Sequence, residues 1–247
     1  MMDLKSELGV QSYCFRHFKD NAEVIELVKE CDLAAIELCG VHVDFNDEST
    51  FDDVIGLYSD AGVRIVSIGC ENFRGDEVAD RKRFEFVKKA GASFIAAAFG
   101  IDDVPEAYRV AEKLSDEYGV RLAIHNHGGR DWLGNSTSLG HAFANTTGAV
   151  GLCLDTAWAL AASENPVKMA ERFAERLYGL HFKDFVFDRV GRPEDVVIGT
   201  GALDLPGLIE AVKAADFSGY AVIEYEGDVE DPVPAIRKCV EAVRGAV

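Results

Sequence analysis

The sequence has no stretch of eighteen apolar residues, so it offers nothing long enough for a membrane-spanning helix. No basic-then-apolar leader with a small-residue cleavage site opens it, and a cytoplasmic protein without membrane attachment is expected. Basic residues are scarce: 25 Lys and Arg stand against 43 Asp and Glu, a formal charge of −18. That balance argues against a broad phosphate-binding footprint, and hence against a nucleic-acid partner. The six cysteines (Cys14, Cys31, Cys39, Cys70, Cys153 and Cys239) include no CxxC pair. They are expected to be reduced core residues rather than a thiolate zinc site. Neither a GxGxxG after the first apolar run nor a Walker sequence occurs, so both nucleotide fingerprints are missing. No linker rich in Pro, Gly or Ser divides the chain, and residues 1–247 are expected to form one domain.

What is present is an alternation. Short apolar runs at 9–13, 34–38, 64–68, 93–98, 122–124, 150–154, 177–181 and 221–224 read as strands. Between them, residues 23–30, 50–61, 77–90, 105–118, 138–145, 166–175, 206–215 and 232–243 carry apolar positions three and four apart, as helices with one buried face do. Ser49 or Thr50 is placed to cap the second helix. Pro166, Pro206 and Pro232 stand where a first helical turn tolerates a missing N–H. Gly62, Gly91 and Gly119 follow helices as C′ glycines do. Eight strands, each followed by a helix, predict an α/β fold closed as a (β/α)8 TIM barrel. Residues 185–201 form the longest irregular stretch, expected to be a loop over the active site.

In such a barrel, polar side chains at the carboxyl ends of strands converge on one mouth. Strand five ends in Ile124-His125-Asn126-His127, whose two histidines are two apart and so share a face. Asp155, His181 and Glu224 end the sixth, seventh and eighth runs, with Lys183 and Glu226 in phase beyond them. Two imidazoles with two carboxylates suit Mn²⁺ first, with Zn²⁺, Mg²⁺, Fe²⁺ or Co²⁺ as alternatives. Isolated polar strand caps would not explain four successive strands ending this way, because unpaired ionisable groups are costly to desolvate. Glu37 sits in an apolar run and needs a specific partner: a substrate hydroxyl, a base to tune, or a core Arg. His42 is either a substrate contact or a loop histidine. Trp158 offers an apolar face to a sugar ring or packs within its loop. Glu71 and Asn72 follow strand three, and Arg16 and His17 are weaker candidates.

These segments, together with Ile36-Glu37-Leu38, Leu154-Asp155-Thr156, Leu180-His181-Phe182-Lys183-Asp184 and Gly199-Thr200-Gly201-Ala202-Leu203-Asp204, run nearly end to end along the chain. The chain resembles the xylose isomerase-like barrels of the sugar phosphate isomerase/epimerase superfamily. That resemblance implies one divalent metal on His125, Asp155, His181 and Glu224, with Glu224 also matching a base. His125 stands where the family's epimerases carry a glutamate. Trp158 and Ala157 replace the histidine and glycine that many relatives place after Asp-Thr. The histidine-rich fifth strand also resembles the inosose dehydratase branch and relatives that cleave 3-keto-glycosides. The family's endonuclease branch needs further metal residues and basic loops that this sequence lacks.

The expected activity is a metal-dependent sugar isomerase or epimerase, acting on a keto-sugar or related polyol by proton abstraction next to a carbonyl. A metal-dependent lyase is the alternative, and a non-catalytic sugar-binding barrel is the second. His125, His127 and Glu224 are the expected catalytic residues; Glu37, His42, Trp158 and Lys183 are expected to contact substrate. No organic cofactor is expected. The partner is a small carbohydrate, the absence of a clear phosphate cradle favours an unphosphorylated one, and a homo-oligomer is compatible with the sequence.

Overall fold

The computed structural model describes residues 2–129 and 131–247. Parallel strands β1 (Gly9–Gln11), β2 (Ala35–Leu38), β3 (Arg64–Phe73), β4 (Phe94–Phe99), β5 (Arg121–His125), β6 (Val150–Asp155) and β7 (Leu177–Phe182) pair in sequence order. After a hairpin of β8 (Asp184–Phe187) and β9 (Pro193–Val196), strand β10 (Tyr220–Ile223) pairs with both β7 and β1 and closes the barrel. The helices are α1 (Asn21–Glu30), α2 (Phe51–Asp60), α3 (Glu77–Lys89), α4 (Glu106–Tyr118), α5 (Ser136–Ala144), α6 (Thr156–Ala161), α7 (Pro166–Arg172), α8 (Leu205–Ala214) and α9 (Val233–Ala246). The TIM-barrel expectation holds.

Local chemistry sets the element ends. Asp20, Asp76 and Asn135 accept backbone N–H bonds at the starts of α1, α3 and α5. In α4, Ala107, Val110, Ala111 and Leu114 form the buried stripe, where each large side chain contributes about 1.5–3 kcal/mol. Gly119 ends that helix at φ +68°, a left-handed position that glycine adopts without strain. The second helix differs from expectation: Thr50 precedes α2 without a side-chain cap bond, and Asp47 instead caps the 3₁₀ turn Glu48–Thr50 that leads into it. Strand β1 stops at Gln11, whose side chain caps the 3₁₀ turn Ser12–Phe15. Strand β3 runs on to Phe73, so Glu71 and Asn72 lie within it.

The stretch expected to be an irregular loop contains the antiparallel pair β8–β9. Asp184 organises the chain that follows. Fully buried, it accepts N–H bonds from Gly199, Gly201 and Leu203, each at 2.9 Å. The two most distinctive sequence segments are therefore one hydrogen-bonded unit.

Two apolar cores result. The larger lies between the strands and the surrounding helices. A smaller one fills the barrel itself with Ala96, Ala123, Cys153, Tyr178, Tyr220 and Val222. Inward glycine makes room for it: a Cβ on Gly179 would lie 2.6 Å from the Tyr220 ring.

Candidate metal centre

Above that small core the interior turns polar. His125 and Asp155 are the last residues of β5 and β6, His181 lies one residue before the end of β7, and Glu224 follows β10. Their ligand atoms all fall within 4.8 Å of one another, and all four residues are buried. His125 Nε2 stands 3.0 Å from His181 Nδ1, 3.7 Å from Asp155 Oδ2 and 3.6 Å from Glu224 Oε2. His181 Nδ1 is 2.7 Å from Glu224 Oε2. Four donors about 2.1 Å from one ion would stand roughly 3.0–3.4 Å apart, in octahedral or tetrahedral arrangement. The observed separations bracket that range.

The electrostatics point the same way. Asp155 Oδ2 is buried without a hydrogen-bond partner, although Oδ1 accepts the Trp158 N–H at 2.7 Å. An unpartnered buried carboxylate oxygen facing two imidazoles and another carboxylate is what a cation would satisfy. Burial pushes the Asp155 carboxyl well above the usual range, with Glu224 adding to it and Lys183 opposing. Burial acts on Glu224 as well, but Lys183 and His181 outweigh it and hold that group well below the usual range. His125 is held neutral by burial and by His181. The donor set therefore fits a divalent metal.

A layer of partners backs these residues. Glu37, fully buried, brings Oε1 to 2.8 Å from His181 Nε2, the ring nitrogen facing away from the other three donors. The approach is a charge contact rather than an aligned hydrogen bond, since His181 Nε2 has no bond of good angle. Gln11 Nε2 donates to Glu37 Oε1 at 2.5 Å and to the Gly69 carbonyl at 2.9 Å. Asn126 ties β5 to β6, donating to the Asp155 carbonyl and accepting the Asp155 N–H. Thr156 Oγ1 bonds the Lys183 carbonyl and accepts the Lys183 N–H.

The other expected residues divide. His127 lies just beyond β5, its Nδ1 3.4 Å from His125 Nδ1, and burial with His125 beside it brings its pKa down to about 4. Trp158 is near: its ring lies 6.1 Å from that of His127 and edge-on to Phe185 at 5.2 Å. Lys183 Nζ reaches Glu226 and lies 3.5 Å from Asp195, 5.8 Å from the centre of the Trp158 ring. His42 is not gathered with them; its Nε2 meets the Phe18 carbonyl at 2.9 Å. Glu71 pairs with Arg83, and His17 with Glu230. Arg16 donates to the Glu226 carbonyl.

Sequence reasoning missed Gln11, Asp195 and the direction of Cys70. Gln11 had a signal, a lone amide closing an apolar run. Asp195 had none, because nothing local marks β9 as a strand. A cavity of 470 Å³ opens at the opposite end of the barrel, between Arg64, Ser93, Phe94 and Tyr220, far along the strands from the four donors.

A parallel barrel with a His₂-carboxylate₂ cluster at the carboxyl ends of its strands defines a class in which such mouths carry the chemistry. The chain belongs to the xylose isomerase-like TIM barrel family, whose model matches residues 25–245. The rhizopine catabolism protein MocC of Rhizobium meliloti is 28% identical over 139 residues, 51% of this chain and 42% of that protein. The matched stretch thus spans about two fifths of the length of the curated relatives. Among solved structures, the 3-keto-D-glucoside 4-epimerase YcjR from E. coli superposes with a TM-score of 0.76 at 17% identity, over 97% of this chain and 99% of that one. The IOLI protein with a bound zinc atom gives 0.75 at 17% identity, over 98% of each chain. At these identities the likeness is one of fold.

Proposed function

We propose that this chain is a divalent-metal-dependent enzyme that isomerises or epimerises a keto-sugar or related polyol by removing a proton next to a carbonyl. The observation that carries the proposal is the convergence of His125 Nε2, Asp155 Oδ2, His181 Nδ1 and Glu224 Oε2, with Asp155 Oδ2 buried and unpartnered. These four residues hold the metal. When bound, the ion stabilises the negative charge that develops on the substrate oxygen as the proton leaves.

The chain's own groups do the rest. Glu224 takes the proton, since Lys183 keeps it ionised despite its burial. Glu37 Oε1, 2.8 Å from His181 Nε2, favours the ring proton on that side and so leaves the Nδ1 lone pair toward the site. His127 is neutral above about pH 4 and partly exposed, so its ring can exchange a proton with a substrate hydroxyl or carbon. Trp158 and Phe185 offer the apolar wall against which a sugar ring packs. The family's named epimerase neighbour supports this reading, as does the zinc on a related barrel. The substrate is a small, unphosphorylated carbohydrate acted on by one domain.

One observation favours a second reading. At the end of β5 stands a histidine whose pKa burial lowers, so the base that a carboxylate there would supply is missing from that strand end. Proton removal from one face followed by loss of a β-oxygen, a lyase reaction, needs only Glu224. The test is reaction in D2O with a panel of keto-sugars and inososes. Deuterium at the carbon beside the carbonyl of recovered substrate or product supports the proposal, and loss of a hydroxyl or glycoside selects the lyase. A metal-loaded protein that neither exchanges nor transforms any member of the panel would overturn it in favour of a sugar-binding barrel.

A further inference from the structure

We infer that Cys70, His127 and the outward-facing nitrogen of His125 form a second metal site, selective for a soft or borderline ion and sharing His125 with the first. The ligand atoms of these three residues all lie within 4.8 Å of one another, the limit that also encloses the four donors of the first site. The two nitrogens of the His125 ring face different groups. Nε2 faces His181, Asp155 and Glu224, whereas Nδ1 faces His127 Nδ1 at 3.4 Å. One thiolate and two imidazoles form a donor set without oxygen, which suits Zn²⁺, Cd²⁺ or Cu⁺ rather than Mn²⁺ or Mg²⁺.

The backbone turns Cys70 this way. The pairing of β3 with β4 shifts register between Ile68 and Glu71, so the strand's alternation is broken at this residue. Cys70 is also distinct in access. Cys14, Cys31, Cys39, Cys153 and Cys239 are buried, while Cys70 is half-exposed beside a histidine that is half-exposed too. On binding, the thiol proton and the remaining His125 ring proton both leave to solvent, so the sulfur takes the metal as thiolate and His125 bridges the two ions as imidazolate. The two sets divide the mouth by chemistry, with oxygen and nitrogen on one side of His125 and sulfur and nitrogen on the other. The site rests on the first one through His125, and filling it occupies the His127 ring that otherwise exchanges a proton with substrate.

The test uses cadmium alone, titrated into the full chain preloaded with Mn²⁺ and followed by the ultraviolet thiolate-to-cadmium charge-transfer band. Wild type should develop the band with one equivalent of Cd²⁺. Cys70→Ser should lose it. His127→Ala should keep the thiol but weaken cadmium binding by more than the ~10- to 100-fold cost of deleting an outer partner. Thermal unfolding of both variants without metal checks that each is folded. No band in wild type, a band of equal size in Cys70→Ser, or unchanged affinity in His127→Ala would each overturn the assignment.

Discussion

At the amino ends of the strands, the barrel interior is closed by Phe94, Tyr178 and Tyr220, with ring centres 5.6 Å apart for Phe94–Tyr220 and 6.1 Å for Phe94–Tyr178. Arg121 lies across two of these rings, 4.9 Å from the centre of Tyr178 and 5.5 Å from that of Phe94. At the carboxyl ends of β5, β6 and β7, the same interior holds His125, Asp155 and His181, with Glu224 just beyond β10. The floor holds together by packing and cation–π contact, although the Tyr220 hydroxyl is buried without a hydrogen-bond partner. The mouth leaves Asp155 Oδ2 unpartnered and gathers carboxylates that repel one another. The floor is built for stability, and the mouth keeps an electrostatic debt for an incoming cation.

Substitutions should separate the two ends. Glu224→Gln removes the base and weakens a ligand, so turnover should fall by about 10²- to 10⁴-fold, while unfolding of the metal-free variant shows a loss smaller than a floor truncation gives, that of a carboxylate the fold holds ionised. Tyr220→Ala, at the floor, should do the reverse, costing roughly 3–5 kcal/mol in unfolding free energy while metal titration still finds a site. Glu37→Gln lies between them. It keeps the shape beside His181 but loses the charge, and metal affinity measured by calorimetry should drop by about 10- to 100-fold.

A further effect concerns pH. His127 has its pKa lowered from 6.5 to about 4. Between those values the unfolded chain binds the proton that the folded state refuses, so this residue's contribution diminishes as pH falls through the window. The stability gap between wild type and His127→Gln should therefore shift against wild type from pH 6.5 to 4, as equilibrium unfolding of the metal-free proteins would show. A pH-independent gap would mean that His127 is solvated.

Much of this contrast was legible in the sequence. Short apolar runs and helices of period three to four predicted the barrel, and the polar residues ending its later strands are those whose ligand atoms lie within 4.8 Å of one another. Position along a strand was enough to bring His125, Asp155 and His181 to one end of the barrel, even across the register shift between Leu152 and Cys153. It failed elsewhere. The register shift between Ile68 and Glu71 means that counting along β3 does not say where Cys70 faces. Asp195 meets Lys183 only because β8 and β9 fold back as a hairpin, a long-range pairing that its neighbours do not encode. Glu37 looked like a residue in want of a partner, and the partner proved to be His181 across the barrel.

The most direct test is equilibrium unfolding of wild type and Asp155→Asn, each with and without Mn²⁺. Asparagine keeps the oxygen that caps the Trp158 N–H but removes the charge beside His125 and Glu224. The metal-free variant should be at least as stable as metal-free wild type, and Mn²⁺ should raise the midpoint of wild type alone. A variant less stable than wild type without metal, and stabilised equally by Mn²⁺, would contradict the account.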